Sequence, residues 1–160
     1  MDAKIVNSLL KSVVETFDKA ANIKVTLGKP KLVSQFSPRF SIFTVIGFGG
    51  TMEGHLVYGL DYKAAVFIVS KMMGMPYEQL DELAYSAIGE MGNMVGGALA
   101  MNLEKFGQKV TIAPPSVVTG EQLKLHVEGV ILALPTTLEG CNCDSSAEVY
   151  LVVHSHKQRG

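Results

Sequence analysis

The feature that most constrains the fold is a faint internal self-match. Lys24-Val-Thr-Leu-Gly-Lys-Pro30 and Lys109-Val-Thr-Ile-Ala-Pro-Pro115 share Lys, Val, Thr and Pro in register. Each follows a long amphipathic pattern. In the first, Ile5, Val6, Leu9, Leu10, Val13, Val14 and Phe17 recur at three- and four-residue intervals, which predicts a helix over 4–22. The second predicts a helix from about Gln79 or Asp81 to Phe106, stopped by Gly107. A chain of 160 residues built this way is one domain over 1–160, with half-domains of approximately 1–74 and 75–160.

Between the helices, β-branched and aromatic runs predict strands over 23–27, 31–36, 40–48 and 52–60, with Gly49-Gly50 as a hairpin turn. Asp61 and Gly74 bracket a helix over 62–73. The last third predicts strands over 109–118, 122–135 and 147–154. The order helix, strands, helix, helix, strands predicts an α+β fold of duplicated half-domains, a largely antiparallel sheet with long helices on one face.

Composition removes several classes of function. Fourteen basic residues against fifteen acidic give a net charge of −1, with no basic stripe for nucleic acid or an anionic membrane. The charge-free runs Phe40 to Met52 and Met91 to Leu103 are too short to span a bilayer, and no export signal opens the chain, so a cytoplasmic protein is expected. Cys141 and Cys143 are too close for an unstrained disulfide and read as plain thiols. His154 and His156 alternate along one strand and read as ordinary surface histidines, so neither a metal nor a cofactor is assigned to the chain. Met72, Met73 and Met75 read as gap-filling core. Apolar residues reach 48%, so some apolar surface is expected to meet a partner.

The long second helix carries the chemistry. On a wheel of about 100° per residue, Ile88, Val95, Leu99 and Phe106 form a core side, while Ser86, Glu90, Asn93, Gly97 and Glu104 lie opposite. Glu90 and Asn93 project from one turn. Gly89, Gly92, Gly96 and Gly97 would each weaken a helix interior by about 1 kcal/mol relative to Ala, so a close approach is expected, either by a neighbouring helix or by a partner protein. An acid and an amide without Cys, Lys or His suit positioning, the amide orienting a water and the carboxylate pairing with a cation. Phosphoryl transfer relies largely on such positioning.

Ser86-x-x-x-Glu90-x-x-Asn93, set in Asp-Glu-Leu-Ala-Tyr-Ser-Ala-Ile-Gly-Glu-Met-Gly-Asn and followed by Pro114 or Pro115, resembles the motif of the CheC/CheX/FliY family of chemotaxis phosphatases. The Asn7-Ser-Leu-Leu helix and the duplicated architecture extend the likeness, closest to CheX-like members, over essentially the whole chain. The resemblance implies hydrolysis of the aspartyl phosphate on a CheY-like response regulator in chemotaxis or another two-component circuit. Asn93 would orient the attacking water and Glu90 would pair with the regulator's active-site lysine. Ser86, Gly89, Gly97 and Pro115 would support the motif and the docking surface. Mg2+ would sit on the regulator. The first helix offers Lys4-Ile-Val-Asn7, with Lys in place of the acid, which implies one active site per chain. The family also implies a homodimer. The alternatives are a non-catalytic adaptor that binds a regulator through the same face, and a purely structural dimerisation domain.

Overall fold

The computed structural model describes residues 1–142 and 147–154. Among the described residues, three helices cover one face of an eight-stranded sheet in which every pairing is antiparallel. The helices are α1 (Ala3–Ala21), α2 (Tyr62–Met73) and α3 (Glu82–Glu104). The strands are β1 (Val25–Leu27), β2 (Lys31–Val33), β3 (Ile42–Gly50), β4 (Gly54–Leu60), β5 (Val110–Ile112), β6 (Ser116–Thr119), β7 (Val130–Leu138) and β8 (Ala147–Val153). The fold is α+β.

Helix boundaries follow their caps. The carboxylates of Asp61 and Asp81 accept the N–H groups of Ala64 and Ala84, each at 2.8 Å, so α2 and α3 start where an acidic cap meets an apolar run. Gly74 (φ 68°) and Asn22 (φ 53°) end α2 and α1 in the left-handed region. α3 ends at Glu104, two residues short of the expected end. Phe106, expected on the core side, is therefore off the helical progression and 49% exposed, with Lys4 over its ring. Met75 is likewise exposed beyond α2, while Met72 and Met73 pack against the core as expected.

The strands run in the order β1, β7, β8, β4, β3, β5, with β2 continuing the line of β1 along β7 and β6 that of β5 along β3. The shared heptapeptide has a physical meaning here. Its Val-Thr-x core forms a short strand, and its proline lies in or borders the gap before the next one. In one gap Gly28 N–H donates to Pro135 O at 2.8 Å; in the other Ala113 N–H donates to Gly47 O at 2.8 Å. Proline, which cannot donate to a ladder, fits where the pairing is interrupted. This splits the expected strand 109–118 into β5 and β6.

Two other expectations are corrected. Gly49 and Gly50 belong to β3 and pair with Thr111 and Val110, and the chain turns at Thr51–Glu53. A Cβ on Gly50 would run into the Lys109 carbonyl, so glycine serves the neighbouring strand and not the turn. The expected strand 122–135 pairs only from Val130, after Gly129 (φ 131°), and runs on to Leu138. Residues 123–127 alternate because Leu123, Leu125 and Val127 tuck against a second core.

That second core lies on the sheet face away from the helices. Phe36, Phe40, Phe43, Val57, Ile131 and Tyr150 are buried there, and Ser37 N–H donates to the Tyr150 hydroxyl at 3.0 Å. Part of the apolar surplus is therefore spent within the chain. The main core joins Leu9, Val13 and Phe17 of α1 and Ile88, Val95 and Leu99 of α3 to Ile46, Leu56 and Tyr58 of the sheet.

Glycine substitutions in α3 separate tight from open packing. A Cβ at Gly92 would stand 2.8 Å from Thr44 Cγ2 and 2.9 Å from Ile46 Cδ1, whereas one at Gly97 meets nothing within 4 Å. Gly92→Ala is expected to destabilise the fold by about 1–3 kcal/mol, and Gly97→Ala to stabilise it by up to about 1 kcal/mol. Chemical denaturation of both variants checks this contrast.

Candidate functional site

Three of the four α3 glycines face the sheet. A Cβ at Gly89 would lie 3.5 Å from Pro115 Cγ and 3.5 Å from Val117 Cγ2, and one at Gly96 would lie 3.4 Å from Ile112 Cδ1. With Gly92, they let α3 lie down on β3, β5 and β6. The close approach expected from the glycines is made at Gly92, by this chain's own sheet and not by another helix, whereas a Cβ at Gly89 or Gly96 would make ordinary contacts with the sheet side and one at Gly97 would meet nothing within 4 Å. Pro115, and not the exposed Pro114, is the proline that packs against α3.

Seating the glycines inward turns the opposite stripe outward. Ser86 and Glu90 are exposed, and Asn93 and Gly97 are half-buried. Neither the Glu90 carboxylate nor the Asn93 amide has a hydrogen-bond or ion-pair partner among the described residues. Both groups are therefore available to a ligand, three residues apart on one turn. At about 100° per residue, Leu83 and Met101 fall on the same stripe, 56% and 70% exposed. Neither stands out in the sequence, because an apolar residue in a helix is ordinarily assigned to the core. Their wheel angles, which match those of Glu90 and Gly97, were the available signal.

α1 lies beside α3 and runs against it. Asn102 Nδ2 donates to Ser12 Oγ at 2.9 Å in a buried contact, Ser12 Oγ donates to the Ser8 carbonyl at 2.6 Å, and Lys105 Nζ donates to Asn102 Oδ1 at 3.2 Å. Matching the buried rows Leu9, Val13, Phe17 and Val95, Leu99, Leu103 puts Lys4 and Asn7 of α1 at the places of Glu90 and Asn93. Both are exposed, but the charge at the first position is reversed.

Among the described residues, no group of three or more His, Cys, Asp and Glu side chains is arranged to hold a metal ion. No helix among them is long and apolar enough to cross a membrane. Cys141 is a free thiol, whereas Cys143 and His156 lie outside the described residues.

The architecture and the outward acid–amide turn define a class of α+β domains in which a glycine-seated helix presents its polar stripe from an antiparallel sheet. Residues 42–147 match the family described as chemotaxis phosphatase CheX, and the chain belongs to that family. It is 51% identical over 139 residues to the CheY-P phosphatase CheX of Thermotoga maritima, covering 86% of this chain and 90% of that protein. Its fold is similar to that of chemotaxis protein CheX from Vibrio vulnificus, with a TM-score of 0.83, 24% identity, and coverage of 95% of this chain and 100% of the other. It is also similar to a chain in the CheX–CheY–BeF3–Mg2+ complex of Borrelia burgdorferi, with a TM-score of 0.79, 22% identity, and coverage of 94% and 97%.

Because Glu90 and Asn93 hold nothing in place within the described fold, Glu90→Ala and Asn93→Ala are each expected to change unfolding free energy by no more than about 0.5 kcal/mol. Denaturant titration of the two variants against wild type measures this.

Proposed function

We propose that this protein hydrolyses the aspartyl phosphate of a CheY-like response regulator, with α3 as the surface that enters the regulator's site. The observation that carries the reading is the placing of Glu90 and Asn93, without partners among the described residues, on one outward turn of a chain 51% identical to a CheY-P phosphatase. In the reaction the Asn93 amide orients a water in line with the phosphorus, the water oxygen bonds to phosphorus, and the aspartyl oxygen leaves as carboxylate. Inorganic phosphate is released. The Glu90 carboxylate pairs with the regulator's active-site lysine and fixes the register of docking. Mg2+ held by the regulator's own acidic residues neutralises charge on the phosphoryl oxygens.

The supporting residues then have distinct parts. Gly89 and Pro115 meet beneath the motif and set the height of the helix on the sheet. Gly97 leaves open space one turn beyond Asn93, where the regulator's backbone fits. Ser86 extends the docking surface one turn in the other direction. Lys4 in the acid's place leaves α1 unable to pair with a lysine, so each chain has one active site. We read residues 1–74 and 75–160 as two half-domains of a single domain, supported by the matching gaps at Gly28 and Ala113. The protein works in the cytoplasm as a homodimer; exposed Leu32 and Val130, on adjoining strands, supply apolar surface for a second copy.

The test is the lifetime of the phosphorylated regulator in magnesium buffer with and without the protein. Wild type is expected to shorten it, and Asn93→Ala and Glu90→Ala to lower the rate of phosphate release by about 100-fold, the scale of losing a positioning group. Unaltered decay across the organism's regulators would overturn the phosphatase reading. Binding without acceleration would select the adaptor. Gly97→Leu, which fills the open space, is expected to raise the regulator concentration at half-maximal rate by about tenfold while leaving the limiting rate nearly unchanged.

A further inference from the structure

On the sheet face away from the helices, one polar pair is used by neither core. His55 lies on β4 and His154 directly follows β8, and strand alternation sets both on the side of Val57 and Val152. His154 Nε2 stands 3.2 Å from His55 Nδ1, although the two residues are 99 positions apart in the chain. Their ring planes are inclined at 48°. In sequence His154 has the pattern of an ordinary surface residue, because its neighbour comes from the other half of the chain.

The surroundings of the pair are built from small residues. Gly47 is the cross-strand neighbour of His55 on β3. A Cβ there would lie 3.8 Å from the His55 ring, and one at Gly49 would meet nothing within 4 Å. The result is a shallow depression of about 330 Å3 that includes both imidazoles and is bordered by Glu53. Both histidines have firm anchors. His55 is paired on both sides, to β3 and β8, and His154 N–H donates to the Glu53 carbonyl at 2.9 Å.

We infer that His55 Nδ1 and His154 Nε2 together chelate a divalent transition-metal ion of the Zn2+ class in this depression. With metal–nitrogen bonds of about 2.0–2.1 Å, nitrogens 3.2 Å apart subtend an angle of about 100° at the ion, near the tetrahedral value. Imidazole pairs suit Zn2+, Ni2+ and Cu2+ better than Mg2+ or Ca2+, which take oxygen ligands. The open floor over Gly47 and Gly49 leaves room for waters to complete the coordination shell, and Glu53 adds negative charge at its border. Burial, followed by the nearby His154, lowers the pKa of His55, which favours the neutral, ligating ring at neutral pH. The competing arrangement is a single N–H···N hydrogen bond between two neutral rings, which needs no open depression.

The experiment is calorimetric titration of Zn2+ into untagged, metal-free, full-length protein, repeated with Co2+ to read its visible ligand-field bands. The expected result is one ion per chain in the wild type. His55→Gln and His154→Gln should each weaken binding by more than about tenfold, the lower end of what losing even a supporting partner does to a metal site. Both variants should keep the wild-type far-ultraviolet spectrum and a cooperative melt, and the Co2+ bands should be lost. Failure of the wild type to bind would overturn the inference in favour of the hydrogen bond. Undiminished binding in the double variant His55→Gln/His154→Gln would overturn it by placing the ion elsewhere. Because the readout is metal binding, neither result bears on dephosphorylation.

Discussion

The contact on which the rest of the structure depends is that between the backbone of α3 and the sheet beneath it. At Gly92 the side chains of Thr44 and Ile46 occupy the space a Cβ would need, while at Gly89 and Gly96 a Cβ would make ordinary contact with Pro115 and Ile112. A helix with glycine at so many interior positions is weak on its own. Packing on a preformed sheet offsets that weakness, because the close approach adds dispersion contacts along its length. The same seating fixes the rotation of the helix and so decides which residues face outward. Polar groups that a solvated helix would surround with Lys and Glu stand instead on a stripe bordered by Leu83 and Met101.

Much of this was legible in the sequence, for reasons that differ by element. α2 was readable to the residue because its two ends carry independent local signals, the Asp61 cap and the left-handed Gly74. That Glu90 and Asn93 share one outward turn was readable because a three-residue spacing on a helix is a purely local statement; the chemistry expected of them rests on the resemblance of the motif. The turn after β3 was not, since Gly49-Gly50 has the composition of a hairpin while its glycines answer to Lys109 on a neighbouring strand. Alternation over 122–135 misled in a related way. A period of two says which side chains face a core, and Leu123, Leu125 and Val127 face one without pairing their backbone.

Long-range partners account for the remaining differences. Asn102 is 7% exposed inside a helix because Ser12 accepts its amide from α1. His55 and His154 are brought together only by the central pairing of β4 with β8. The second core behind the sheet, with Phe36 edge-on to Tyr150 at 4.8 Å, drew on apolar residues that composition alone had reserved for a partner. In each case the sequence held the residue and the topology supplied its neighbour.

The proline-bordered gaps at the two edges of the sheet have a consequence for association. β3 and β7 are nine residues long, but the outer lines that cover them are broken into pieces of three or four. An incoming strand could therefore form only a few rungs before it met an interruption, too few to template open-ended growth. Lateral addition at these edges is self-limiting, so an otherwise apolar, weakly charged chain is guarded against stacking into fibres by the same short motif that first gave its architecture away.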